Sequence, residues 1–297
     1  MKNTLITGAT GNVGYEVIRY LHEKNSGNEI VAGVRDPETA ANRFTDLPNV
    51  TFRHFDFENP DTFPGALDNI ERLFLVRPPH LSDVQIYFEP LLQSMTRHAV
   101  NNVVFLSVQG AEKSNVIPHR RIEKLITEKE LNYIFLRPGY FMQNLTTTLL
   151  TDIRNKQKIF LPTGKAKFNW IDVKNIGEVA AILLERFHEY QNAAFDLTGY
   201  ENEDFYKIAD YLSKELPQPV RFQNVNPLHF YQIKKKEGLP KGMILVMIML
   251  HFLPRFQKAP RISGFYEQLT GKKPTTLKEF IRREKKKFNV RLANTME

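Results

Sequence analysis

The chain of 297 residues contains no cysteine, which removes disulfides, thiolate metal ligands and cysteine nucleophiles at once, and no metal site is expected. No basic leader followed by an apolar stretch opens it, so a cytoplasmic location is expected. No apolar run is long enough to cross a bilayer. The longest, Met243 to Leu253 with His251 inside it, has about eleven residues, and no transmembrane segment is expected. Its methionines suit a buried or cleft-lining helix, or an interface. Repeats and low-complexity stretches are absent as well. Basic charge is scarce in one half only: residues 1–150 hold 15 Lys and Arg against 17 Asp and Glu, residues 151–297 hold 26 against 16, and the net +8 belongs wholly to the second half. Its basic runs are Lys234-Lys235-Lys236, Lys272-Lys273, Arg282-Arg283 and Lys285-Lys286-Lys287. A solvated helix face is the common origin of such runs. Anionic membrane, an acidic partner or nucleic acid are the alternatives, and nucleic acid is disfavoured because no recognition helix accompanies them.

What is present is concentrated at the start. Lys2 to Thr7 reads as a buried strand, and Gly8-Ala9-Thr10-Gly11-Asn12-Val13-Gly14 follows directly, ahead of an amphipathic helix with Val13, Val17, Ile18 and Leu21 on one face. Strand, glycine loop and helix in that order form a cradle for nucleotide phosphates. Gly8 turns the chain off the strand, Gly11 lets backbone approach a pyrophosphate, and Gly14 lets the helix pack on the sheet. The helix N-terminus adds N–H donors and a positive dipole end. A second apolar run, Glu29 to Val34, ends in Arg35-Asp36-Pro37. At that place a carboxylate accepts from an adenosine ribose 2′-hydroxyl and an arginine accommodates a 2′-phosphate. Arg35 therefore favours NADP(H), while Asp36, one residue on, keeps NAD(H) possible.

Further apolar strands over 50–55, 70–76, 103–107 and 133–136 alternate with helical patterns near 60–67, 82–99 and 118–130. This predicts an α/β fold, a Rossmann-type doubly wound parallel sheet with helices on both faces and a smaller, mostly helical C-terminal substrate domain. The expected division is 1–150 for the nucleotide-binding domain, with later returns to the sheet near 158–200, then 151–288 for the substrate region and 289–297 for a flexible tail. Helices are expected near 173–188, 202–215, 227–237, 241–252 and 275–288.

Six motifs in order resemble the NmrA-like branch of the atypical short-chain dehydrogenase/reductases, whose better-known members include quinone reductases. They are Thr7–Gly14, Arg35-Asp36-Pro37, Leu136–Asn144, Trp170–Val173, Phe195–Gly199 and Pro274–Ile281. The resemblance implies cofactor contacts at Asp56 and Phe57 after the third strand, Val76 and Arg77 after the fourth, and Ser107, Val108 and Gln109 after the fifth. After the sixth it implies Pro138, Gly139, Tyr140 and Phe141, with Tyr140 a candidate catalytic group. Asp56 also suits a helix N-cap, and packing competes as a role for Tyr140, Phe141 and Trp170.

One departure matters more than the matches. Ordinary superfamily members carry a tyrosine and, four residues later, a lysine on the helix after the fifth strand, where the tyrosine donates a proton. Here that stretch reads Ser114 to Lys124 without a tyrosine; Asn115 falls at the tyrosine's place and His119 at the lysine's. His119 is the candidate polar catalytic and cofactor-binding group, neutral toward a nicotinamide ribose or protonated toward a substrate. Glu123 and Lys124 are expected to make helix-surface contacts. The expected activity is NADPH-dependent hydride transfer to a quinone-like small acceptor in an apolar cleft, which needs little acid catalysis. The alternative is a non-catalytic NADP(H)/NAD(H) sensor acting through a protein partner.

Overall fold

A computed structural model describes residues 3–24 and 27–289. The tail expected over 289–297 therefore lies, apart from Asn289, outside the described residues. By packing, the chain divides into two compact units. Among the described residues the first comprises 3–24, 27–138, 173–197 and 268–271, and the second 139–172, 198–267 and 272–289.

The first unit is built on strands β1 (Thr4–Ile6), β2 (Ile30–Val34), β3 (Val50–His54), β4 (Arg72–Val76), β5 (Asn102–Leu106) and β6 (Asn132–Pro138), joined by a seventh strand, Ala193–Leu197. Their order across the sheet is Ala193–Leu197, β6, β5, β4, β1, β2, β3. Every neighbouring pair is parallel. All residues of β2 and β5 are buried, as strands covered by helices on both faces must be, whereas β3, at the edge, is half exposed. The strand order reverses between β1 and β4, and in such sheets ligands bind beyond the carboxyl ends at this reversal.

Helix α1 (Asn12–Lys24) buries Val13, Val17, Ile18 and Leu21, the face read from the sequence. It lies so close to the helix Val173–Glu185 that a Cβ on Gly177 would come 2.6 Å from Glu16 Cβ. Arg72, buried in β4, donates to Leu184 O and to Glu185 O at 3.3 Å, closing the C-terminal carbonyls of that second helix with a cation at its negative end.

The helices expected in the second unit are present as Phe205–Glu215, Pro227–Lys236, Lys241–Phe252, Leu277–Arg283 and Lys285–Phe288, and beside them stand strands that the sequence reading did not anticipate. Five short strands form two small sheets. Phe168–Ile171 pairs with Tyr140–Phe141 in parallel and with Asn202–Glu203 antiparallel, and Lys158–Leu161 pairs with Arg221–Asn224. The core gathers Leu145, Ile153, Trp170, Phe205 and Phe280. A capping box, Thr276 with Glu279, opens the helix Leu277–Arg283. The basic runs are only partly the solvated faces expected of them. Lys234 is buried against Asp152 at 2.6 Å, and Arg283 donates to the fully buried Asp172 at 2.6 Å.

Candidate functional site

The glycine loop joins β1 to α1 through tight local bonds. Gly8 takes a φ of +59°, which an L side chain resists, and a Cβ on it would press on the Val76 side chain at 3.3 Å. Gly11 N–H donates to Gly8 O at 2.9 Å, and Tyr15 N–H to Gly11 O at 3.1 Å, the first full helical bond. A Cβ on Gly14 would stand 2.3 Å from Gly8 O, so only glycine lets the helix begin there. Gly8, Thr10, Gly11 and Asn12 are exposed, while the Val13 side chain is buried, leaving that residue its backbone N–H to offer. The opening N–H groups of a helix have no intrahelical acceptor, and no acidic side chain stands in the first turn of α1 to occupy them. Below the loop, Thr7 Oγ1 donates to Phe74 O at 3.1 Å and accepts from Val76 N–H at 2.9 Å, locking β1 to β4 at the reversal point.

At the end of β2, Arg35 is exposed. The Asp36 carboxylate is committed elsewhere. It accepts from Thr39 N–H at 3.1 Å and from the Thr39 hydroxyl at 2.5 Å as the N-cap of the next helix. Those bonds hold its pKa below the usual carboxylate range. After β3, Asp56 Oδ1 accepts from Glu58 N–H at 3.0 Å and closes a turn, and the N-cap of the short helical turn beyond it is Asn59. Phe57 is a core residue, packed edge-on against Phe55 at 4.9 Å and beside Phe88 at 5.2 Å. Any contact it makes with a ligand falls to its backbone.

Beyond β4, the Arg77 guanidinium folds back over its own loop, donating from Nη1 to Pro78 O, Pro79 O and Leu81 O at 2.9, 3.0 and 2.9 Å. Its Nε donates to His119 Nε2 at 3.4 Å, bringing two expected site residues together. His119 stands in the first turn of the helix Pro118–Glu128, stacked at 6.1 Å on Phe105. Desolvation, and then the neighbouring Arg77 charge, push its pKa down to about 3. With Nε2 accepting from Arg77, the neutral ring carries its proton on Nδ1.

One turn further along this helix lies a group that the sequence reading placed on the surface. Glu123 is completely buried. Its carboxylate accepts from Ser107 Oγ at 2.7 Å, from Arg137 Nε and Nη2 at 2.9 and 2.8 Å, and from Arg120 Nη1 at 3.1 Å. The signal that could have found it is Arg137, a charge inside an otherwise apolar strand, which requires a buried counter-charge. Lys124 does make the expected surface contact, with Asn115 Oδ1 at 3.1 Å. The β5 loop is fastened further: Ser107 N–H donates to Leu136 O at 2.8 Å and Gln109 N–H to Pro138 O at 2.9 Å, with Val108 half-buried between them.

Gly139, Tyr140 and Phe141 belong to the second unit. A Cβ on Gly139 would come 2.7 Å from Asn169 O. The Tyr140 hydroxyl lies 2.9 Å from His251 Nε2, and His251 Nδ1 lies 2.7 Å from Met247 O. A carbonyl can only accept, so Nδ1 carries the proton, Nε2 is bare and the phenol donates to it. Burial raises the Tyr140 pKa and lowers that of His251 to about 4. Tyr140 packs edge-on against Trp170 at 4.8 Å, and the buried Trp170 indole donates to Glu203 O at 3.0 Å, a packing role. Phe141 is half-buried.

A glycine-cradled α1 at the reversal point of a parallel sheet defines a nucleotide-binding class of α/β protein. The chain belongs to the NmrA-like family, whose profile matches residues 1–281. It is 26% identical over 278 residues to the Prestalk A differentiation protein A of Dictyostelium discoideum, covering 94% of this chain and 91% of that one. It is 27% identical over 281 residues to an NAD(P)H azoreductase of Xenophilus azovorans, covering 94% and 96%. Among solved structures, the NADPH-dependent quinone oxidoreductase of Escherichia coli, complexed with NADPH, superposes with a TM-score of 0.84 at 22% identity, covering 94% and 99%. The negative transcriptional regulator NmrA in complex with NAD does so at 0.73 and 15%, covering 95% and 94%.

Proposed function

We propose that the protein is an NADPH-dependent oxidoreductase that reduces a quinone-like or azo-type small acceptor. The observation that carries the coenzyme assignment is the pair after β2, with the Asp36 carboxylate spent on Thr39 and Arg35 left exposed beside it. The residues present fit a dinucleotide phosphate. Backbone N–H groups of Asn12 and Val13 would meet the diphosphate, and the Arg35 guanidinium would meet the 2′-phosphate. The Asp56 carboxylate would accept from the adenine amine, and Val76, Arg77 and Ser107–Gln109 would border the ribose and nicotinamide. The bound coenzyme supplies a hydride. His119, neutral, would offer its Nδ1 proton as a hydrogen bond.

The acceptor class follows from the missing acid. The helix Pro118–Glu128 carries no tyrosine, and its histidine is neutral. An acceptor whose reduced form spreads its negative charge can take a hydride first and its proton from solvent, so that hydride plus proton complete a two-electron reduction. A relative named as an NAD(P)H azoreductase supports this reading.

The test is NADPH oxidation with quinone, azo and triphenylmethane acceptors, together with calorimetric titration of both coenzymes. Arg35→Glu should move preference from NADP(H) toward NAD(H). No heat with either coenzyme would overturn the proposal. The absence of a proton donor on that helix also favours a second reading, a coenzyme-sensing regulator with a protein partner, and tight binding with no turnover on any acceptor would select it.

A further inference from the structure

The helix Lys241–Phe252 turns a narrow face inward, Ile244, Met247 and His251, leaves Ile248 and Phe252 half-buried, and exposes Met243, Leu245, Val246, Met249 and Leu250. Eight of the thirteen exposed large hydrophobic side chains among the described residues fall within residues 243–262. Met243, Leu245, Met249, Leu250, Leu253 and Phe256 are each more than two-fifths accessible, Phe256 reaching 74%. An apolar patch of this extent marks an interaction surface.

Charge identifies what the patch fits. Residues 238–266 contain no aspartate or glutamate, whereas Lys241, Arg255 and Lys258 are exposed within them and Lys235 and Lys236 just before. The nearest preceding acid, Glu237, is already paired with Lys156 at 2.6 Å and Lys234 at 2.8 Å. At the C-terminal end of the helix a cavity of about 580 Å³ is lined by Lys165, Lys167 and Arg255 with no carboxylate in its wall. The Arg255 guanidinium lies across the turn at Gly164, where an added Cβ would meet its Nε at 2.9 Å. Exposed apolar side chains flanked along the chain by cations, with no acid between them, match the boundary between acyl chains and anionic headgroups. They match a second copy of this chain poorly, since the cations of two copies would be brought together.

We propose that this face docks on an anionic phospholipid bilayer, with the helix lying in the plane of the interface and the cavity of Lys165, Lys167 and Arg255 receiving a headgroup phosphate. At 12 residues the helix lies on a bilayer and does not cross it. The proposal uses no residue of the first unit and stands apart from the hydride-transfer reading.

The full chain would be sedimented with sucrose-loaded vesicles of phosphatidylcholine alone and of equal parts phosphatidylcholine and phosphatidylglycerol. Binding is expected to the anionic vesicles only, to fall as salt rises to about 0.5 M, and to weaken about tenfold or more in Leu250→Gln/Leu253→Gln and in Lys165→Gln/Arg255→Gln. All four positions are on the surface or the cavity wall, and unchanged thermal melts would show that the variants fold. No binding to anionic vesicles would overturn the proposal, as would binding unchanged in both variants. A dimer in sedimentation equilibrium that Leu250→Gln/Leu253→Gln dissolves, without vesicle binding, would assign the face to a second copy instead.

Discussion

Replacing Glu123 by glutamine tests the buried network most directly. Glutamine keeps the shape but removes the charge, and it turns an N–H edge toward donors. Arg137 loses the partner of two short bonds, and Ser107 and Arg120 lose theirs. Removing one partner of a buried pair costs about 3–5 kcal/mol. Arg137 keeps Glu112 at 3.2 Å, and the Arg120 side chain is 28% exposed, so both guanidiniums recover some hydration. The expected cost is thus at the lower end, about 3 kcal/mol, or a melting temperature lower by about 6 °C in a chain of this size. Urea unfolding followed by far-UV circular dichroism measures it; fluorescence would not serve, because the only tryptophan, Trp170, belongs to the second unit. Arg137→Met should cost a similar amount, and the double variant should cost less than the sum by about 1–3 kcal/mol. Additive losses, or a Glu123→Gln cost below about 1 kcal/mol, would refute the assignment of this carboxylate as the holder of both arginines.

Gly14→Ala should cost about 1–3 kcal/mol and weaken coenzyme binding about tenfold, because its Cβ would stand 2.3 Å from Gly8 O; calorimetry on a variant that binds normally would disprove the role of the loop. Because the His119 pKa is pushed down to about 3, the pH profile of kcat/KM should show no limb near pH 6.5 that His119→Asn removes. For His251 the folded pKa of about 4 lies below the unfolded value of about 6.5, so its stabilisation is complete above pH 6.5 and is lost as pH falls toward 4, by at most about 3 kcal/mol. His251→Gln should flatten that part of the urea-midpoint profile, and an equal acid loss in both proteins would contradict it.

The first unit was legible because its signals are local. Fully buried parallel strands leave uninterrupted apolar runs such as Ile30–Val34, and the glycine loop writes its turn and helix start into seven consecutive residues. The small sheets of the second unit left no such trace. Their strands are two to four residues long, and Tyr140–Phe141 finds its partner only at Trp170–Ile171. The Tyr140–His251 bond spans 111 residues. Glu123 was missed for a different reason: a charged residue on a helix is by default assigned to solvent, and only its partner on a neighbouring strand reverses that.

His119 and Glu123 stand four residues apart, on one face of the helix Pro118–Glu128. Arg77, leaving β4, binds the first; Ser107, leaving β5, and Arg137, in β6, bind the second. The carboxyl ends of three adjacent strands are thus tied to a single helix turn, on the side of the sheet where a ligand would lie. Side chains held this way are ordered before anything binds, so association forfeits less conformational freedom at these positions. The network thus fixes the positions of these side chains where β4, β5 and β6 end.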